Sequence, residues 1–183
     1  MKNKTLLLDA ARFIAFAFLV LILNININNF NLLPTWLAWG LVFIALNYLK
    51  EHDSHYLKYV VIALGLIELA EWVNIIFTHY SYPEFLVTII VRILEAYFYY
   101  YFFDMYAELA AEEDADYSRK FKTIGNTCLL LTALSLIITL LPLERLNLQF
   151  AILVFLIADL IYMIYVVVTL FQYYRSLKNK YLY

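Results

Sequence analysis

Apolar residues fall into six long blocks: 5–24, 32–49, 57–78, 84–106, 121–141 and 148–172. Each is close to the ~20 residues that a helix rising 1.5 Å per residue needs to cross a ~30 Å hydrocarbon core. None alternates with period two, so the pattern is not that of transmembrane β-strands. The breaks carry turn chemistry. Asn24 to Asn31 contains five asparagines, Pro83 precedes the fourth block, and Pro142 ends the fifth. Pro34 opens the second, where a first-turn proline is well placed. The pattern predicts an all-α integral membrane protein, a bundle of six transmembrane helices making a single transmembrane domain over 1–183. The first block does not read as a signal peptide, because Asp9 and Arg12 interrupt it and no small-residue cleavage site follows.

Composition sharpens this. The chain has 183 residues, 65% hydrophobic and 15% charged. A soluble domain of that size cannot hide so much apolar side chain, and the same excess excludes intrinsic disorder. A net charge of −2 provides no basic field for nucleic acid. The single cysteine, Cys128, excludes an intramolecular disulfide and any multi-cysteine metal site. Lys/Asn/Ile/Tyr-rich usage points to an AT-rich bacterial genome, and hence to a bacterial cytoplasmic membrane.

Lysine and arginine set the orientation. Lys2, Lys4, Lys50, Lys58, Arg119, Lys120, Lys122, Arg175, Lys178 and Lys180 fall on one side, and only Arg145 on the other. The positive-inside rule therefore puts both termini in the cytoplasm. The fourth helix is expected to continue past the surface into a cytoplasmic helical hairpin over 104–122, turning near Asp116 and returning at Arg119. That hairpin reads first as a solvated tip and second as a docking site for a membrane protein partner. With only Gly40, Gly65 and Gly125 in the chain, close helix packing is expected at alanines such as Ala11/Ala15 and Ala63/Ala70.

Seven ionisable residues lie inside the expected spans: Asp9, Arg12, Glu68, Glu71, Arg92, Glu95 and Asp159. A charge at the bilayer centre costs ~2.5–3.5 kcal/mol on insertion scales, so such groups turn inward and find partners. Counted at 1.5 Å per residue from the cytoplasmic edge, Glu68 lies at roughly 16 Å, Glu71 at roughly 21 Å, Arg92 at roughly 18 Å, and Glu95 and Asp159 at roughly 13 Å. Asp9 and Arg12 form a shallower, secondary pair. Glu68 and Glu71 share a helix face at i,i+3, and so do Arg92 and Glu95, whose stripe continues through Thr88 and Tyr99. Asp159, Tyr162, Thr169 and Tyr173 form a stripe on the sixth span, and Cys128, Thr132, Ser135 and Thr139 one on the fifth.

Four carboxylates facing one guanidinium cannot all stay ionised in a dry site; some hold protons, or a cation is present. Aromatic rings beside them, Trp72 next to Glu71 and Tyr97, Tyr99, Tyr100 and Tyr101 after Glu95, suit an organic cation. The remaining aromatics suit interfacial belts: Trp36, Trp39, His79, Tyr80 and Tyr82 outside, Tyr173, Tyr174, Tyr181 and Tyr183 inside. The functional expectation is a binding or transport protein for a small cationic solute or protons. Its ligand-binding candidates are Glu68, Glu71, Trp72, Arg92, Glu95, Tyr99, Asp159 and Tyr162. The alternative is a non-catalytic partner (an immunity, sensor or regulatory subunit) whose charge cluster only fixes helix register. An intramembrane enzyme using a glutamate as acid or base ranks last, and no cofactor is called for. Glu51-His52-Asp53-Ser54-His55 has metal-ligand composition, but no second cluster completes a shell, so it reads as a solvated loop. No histidine lies centrally in a span to hold haem, and Cys128 has no histidine base in its span. No nucleotide, zinc-protease or serine-hydrolase motif is found.

Overall fold

Apolar runs closed by polar breaks fold as helices among the described residues. The computed structural model describes residues 2–23, 26–27, 30–31, 34–49, 55–75, 84–141 and 149–182. Among these are six helices: α1 (Lys2–Leu23), α2 (Thr35–Tyr48), α3 (His55–Val73), α4 (Glu84–Ala111), α5 (Ala115–Leu140) and α6 (Gln149–Leu182). The asparagine-rich segment after α1 adds a two-residue antiparallel ribbon, β1 (Asn26–Ile27) with β2 (Phe30–Asn31), in register Asn26↔Asn31 and Ile27↔Phe30. The regular structure of the described residues is otherwise all helical. His79, Pro83, Pro142, Arg145 and the 51–54 part of the histidine-containing loop lie outside the described residues.

Four helices are long and apolar enough to cross a membrane: α1, α4, α5 and α6. The other two expected spans fall short. α2 has 14 helical residues, about 21 Å of rise, because Pro34 fixes its start and Leu49 closes it by donating its backbone N–H to Ala45 O. α3 is long enough at 19 residues, but Lys58, Glu68 and Glu71 interrupt its apolar stretch. It ends in a π-type turn at Asn74 and Ile75.

The chain divides into two compact units, Met1–Tyr82 with Ile164–Tyr183, and Pro83–Met163. In the first, α1, α2 and α3 alternate in direction. Phe13 of α1 stacks on Tyr48 at the end of α2, 5.8 Å between centroids, and Trp36 at the start of α2 meets Trp72 near the end of α3 edge-on at 6.0 Å. The last half of α6 runs antiparallel to α1, since Lys4 sits over the Tyr181 ring at 5.1 Å and Phe16 meets Phe171 at 5.5 Å. The start of α1 and the end of α6 are therefore together at one end of this unit. Its core is lined by Ala10, Ala11, Ile14, Ala15 and Phe18, and by Val166, Leu170, Tyr173 and Leu177 at helical spacing. Trp39 and Tyr173, expected in interfacial belts, are instead buried at 1% exposure.

The second unit is built on the α4–α5 hairpin. α4 runs through Ala111, and Asp114 caps α5 by accepting a hydrogen bond from the Asp116 backbone N–H at 2.9 Å. The chain thus reverses over 112–114, ahead of the expected position near Asp116, because the capping carboxylate is Asp114. An aromatic ladder fills the seam: Phe98 on Phe102 (4.9 Å), Phe102 on Tyr106 (5.6 Å) and Tyr106 against Phe121 of α5 (4.8 Å). Gly125 lets the backbones close. A Cβ there would lie 2.8 Å from the Phe103 Cβ, too close for any side chain. Of the expected small-residue contacts, Ala11 and Ala15 are fully buried, whereas Ala70 is exposed and Ala63 only half-buried.

Candidate functional site

Arg92 and Glu95 project from one face of α4, three residues apart. The Arg92 Nη1 donates to Glu95 Oε2 at 2.8 Å. Glu95 is the more enclosed, its side chain 12% exposed against 41% for Arg92. The next turn brings Tyr99 to the same face, buried at 8%. From α5, Cys128 (3%) and Thr132 (7%) are buried in the same unit, and Cys128 lies within electrostatic range of Tyr99. From α6, the half-buried Asp159 acts electrostatically on Arg92, Glu95, Tyr99 and Cys128. Asp159 is thus within electrostatic range of the guanidinium, the carboxylate and the phenol on α4 and of the thiol on α5. If both carboxylates ionise, the formal charge is −1, since two acids face one base.

Other expected residues are distributed differently. Tyr162 is on α6 one turn beyond Asp159 and is half-buried. Glu68, Glu71 and Trp72 belong to α3 in the first unit, half-buried, with Trp72 packed on Trp36. Of the tyrosines following Glu95, only Tyr99 turns to its face. Tyr97, Tyr100 and Tyr101 are exposed and pack on one another, Tyr97 to Tyr101 at 4.4 Å and Tyr100 to Tyr101 at 5.1 Å. Asp9 and Arg12 form an ion pair at 3.3 Å with both side chains over 40% exposed. At that exposure the pair contributes little to stability.

Among the described residues no three His, Cys, Asp or Glu side chains converge as a metal site. The back-bonded hydroxyls of Thr139 (to Ser135 O, 2.9 Å) and Thr169 (to Tyr165 O, 2.9 Å) satisfy themselves within their own helices, as threonines in apolar helices do. No protein-family model, curated protein or solved structure matches this chain. The geometry therefore carries the functional argument alone.

Proposed function

We propose that the chain is a multi-pass membrane protein that binds or moves a small cationic solute or protons at the Arg92–Glu95–Asp159 cluster. Its place is a bacterial cytoplasmic membrane with both termini in the cytoplasm. The common end of α1 and α6, shown by the Lys4–Tyr181 contact, supports a shared side for the termini. Membrane placement is supported by the large apolar side chains left exposed. On α6, Phe150, Leu153, Leu156, Ile157, Leu160 and Ile161 are each at least half exposed, a surface that water does not tolerate and lipid does. Six crossings remain part of this reading.

One observation carries the solute site: α4 holds the Arg92–Glu95 ion pair among largely apolar residues, and the Asp159 carboxylate of α6, which has no ion pair of its own, lies within electrostatic range of that pair. A cation or proton relieves the surplus negative charge there. Neutralising Asp159 as Asn should abolish cation-dependent stabilisation or transport in reconstituted vesicles and leave the fold intact. An unaltered response in Asp159→Asn removes the site from this function.

A second reading rests on the α4–α5 hairpin. At 28 residues α4 spans about 42 Å, more than a ~30 Å core requires. Its tip exposes Glu108, Glu112, Asp116, Arg119, Lys120 and Lys122. Such a charged projection suits a non-catalytic membrane subunit docking a protein partner, with the charge cluster serving only the bundle.

A further inference from the structure

In the first unit, α1 and the last half of α6 bring cations together without acids. Residues 1–8 and 160–183 contain Lys2, Lys4, Arg175, Lys178 and Lys180 and no aspartate or glutamate. The two segments touch twice: Lys4 Nζ lies 5.1 Å from the Tyr181 ring centroid, and Phe16 meets Phe171 at 5.5 Å. Phe171, Tyr174, Arg175, Lys178 and Tyr181 recur at helical spacing and share one flank of α6. Both ends of that flank touch α1, so Arg175 and Lys178 stand between the two contacts, with Lys4 at the Tyr181 end. From Arg175 to Tyr181 the rise is about 9 Å. Lys4 and Arg175 are exposed and Lys178 is half-buried. None of the three has a carboxylate partner among the described residues.

The basic residues of the α4–α5 hairpin differ. Arg119 is held by Asp116 at 2.8 Å, Lys122 lies 4.0 Å from Asp104, and Lys120 sits over the Tyr117 ring at 4.9 Å. On the α1–α6 flank three like charges stand close together with no acid to offset them, which favours an anion. The same flank continues back along α6 through Val168 and Ile164, at spacings of three and four. Both are about half exposed, as is Phe16 of α1. A cationic head thus adjoins an open apolar strip. The order is that of a phospholipid, phosphate first and acyl chain after, and a soluble anion would use only the first part.

We infer that this flank of α1 and α6 binds an anionic phospholipid, its phosphate among Lys4, Arg175 and Lys178 and an acyl chain along Val168, Ile164 and Phe16. The apolar block of α6 ends at 172, so the cations begin where hydrocarbon gives way to headgroups, a level that tyrosines such as Tyr174 and Tyr181 also favour. The inference rests on the membrane placement proposed above and is independent of the Arg92–Glu95–Asp159 cluster.

Native mass spectrometry of the full chain in detergent tests it, with phosphatidylglycerol and phosphatidylcholine of identical acyl chains added in equal amounts. Wild type should retain phosphatidylglycerol in preference. One cation near an anionic surface is worth about fivefold in binding. The triple variant Lys4→Gln/Arg175→Gln/Lys178→Gln should therefore lower the preference by more than about tenfold, and each single variant should lower it in part. The matched hairpin variant Arg119→Gln/Lys120→Gln/Lys122→Gln should keep it. Free glycerol phosphate at the same concentration should not displace the lipid, because it lacks the chain. Equal retention of the two lipids by wild type, an equal loss in the hairpin variant, an undiminished preference in the triple and single variants, or displacement by glycerol phosphate each overturns the inference. Vesicle flotation after an alkaline carbonate wash separates this from the wider reading. A chain that stays with phosphatidylcholine vesicles but shows no headgroup preference loses the lipid site alone; a chain washed off loses the membrane placement as well.

Discussion

Arg92 and Glu95 are unequal partners, and their variants should differ accordingly. Removing Arg92 leaves a carboxylate only 12% exposed without its counter-charge. Removing the charge on Glu95 leaves a guanidinium that is far less enclosed, 41% exposed. Arg92→Ala should therefore cost about 2–3 kcal/mol, less than the ~3–5 kcal/mol of a fully buried broken pair. Glu95→Gln should cost under about 1 kcal/mol, and Arg92→Lys should fall between the two. Detergent melting of the three beside wild type checks the order; Arg92→Ala melting with wild type would remove Arg92 from any buried network. The α4 face was legible in the sequence because Thr88, Arg92, Glu95 and Tyr99 recur at three and four residues, the spacing of one helix stripe. The same rule separates Tyr99 from Tyr97, Tyr100 and Tyr101, which proximity to Glu95 in the sequence had grouped with it. That Asp159 comes within electrostatic range of Arg92 could be suspected from depth alone; that Glu68 and Glu71 fall in the other compact unit could not, because helix order says nothing of which helices pack.

Helix lengths were the least legible feature, for reasons that differ element by element. The second apolar block counts 18 residues, but hydropathy does not register Pro34 and the Leu49 turn as limits. The sixth block ends by hydropathy at 172, whereas α6 continues to Leu182, since Gln, Tyr, Arg, Ser, Leu and Lys support a helix after the apolar run stops. Gly125 was similarly invisible: its need arises only when α4 approaches within 2.8 Å of a would-be Cβ, a tertiary fact. Two glycines give an internal control. Gly125→Ala should destabilise by about 1–3 kcal/mol through overpacking against Phe103. Gly40→Ala, with nothing within 4 Å, should be neutral or stabilising by up to about 1 kcal/mol from helix propensity. Equal melting temperatures for the two would contradict the close α4–α5 seam. Asp114→Ala should cost about 1 kcal/mol by removing the α5 cap, and should show as earlier hydrogen exchange confined to the hairpin tip.

For the whole molecule, helical architecture was the most legible property, because 65% hydrophobic residues in helix-length runs give the described residues six helices, four of them long and apolar enough to cross a membrane. The proposed orientation rests on ten cationic residues against one. Reporter fusions at Asn28 and His79, both outside the described residues, should report the outer side, and fusions at His55 and Asp114 the cytoplasm. The opposite pattern would invert the topology, and with it the cytoplasmic position of the hairpin. Asp159 lies in the half of α6 that belongs to the second unit. The central claim is that the Arg92–Glu95–Asp159 cluster holds a small solute inside a membrane protein, and native mass spectrometry of the chain released from its own membranes tests it most directly. The account predicts a small polar molecule retained on wild type and absent from Asp159→Asn. A protein subunit retained equally by both forms, with no small molecule on either, would contradict it and favour the docking role of the α4–α5 hairpin.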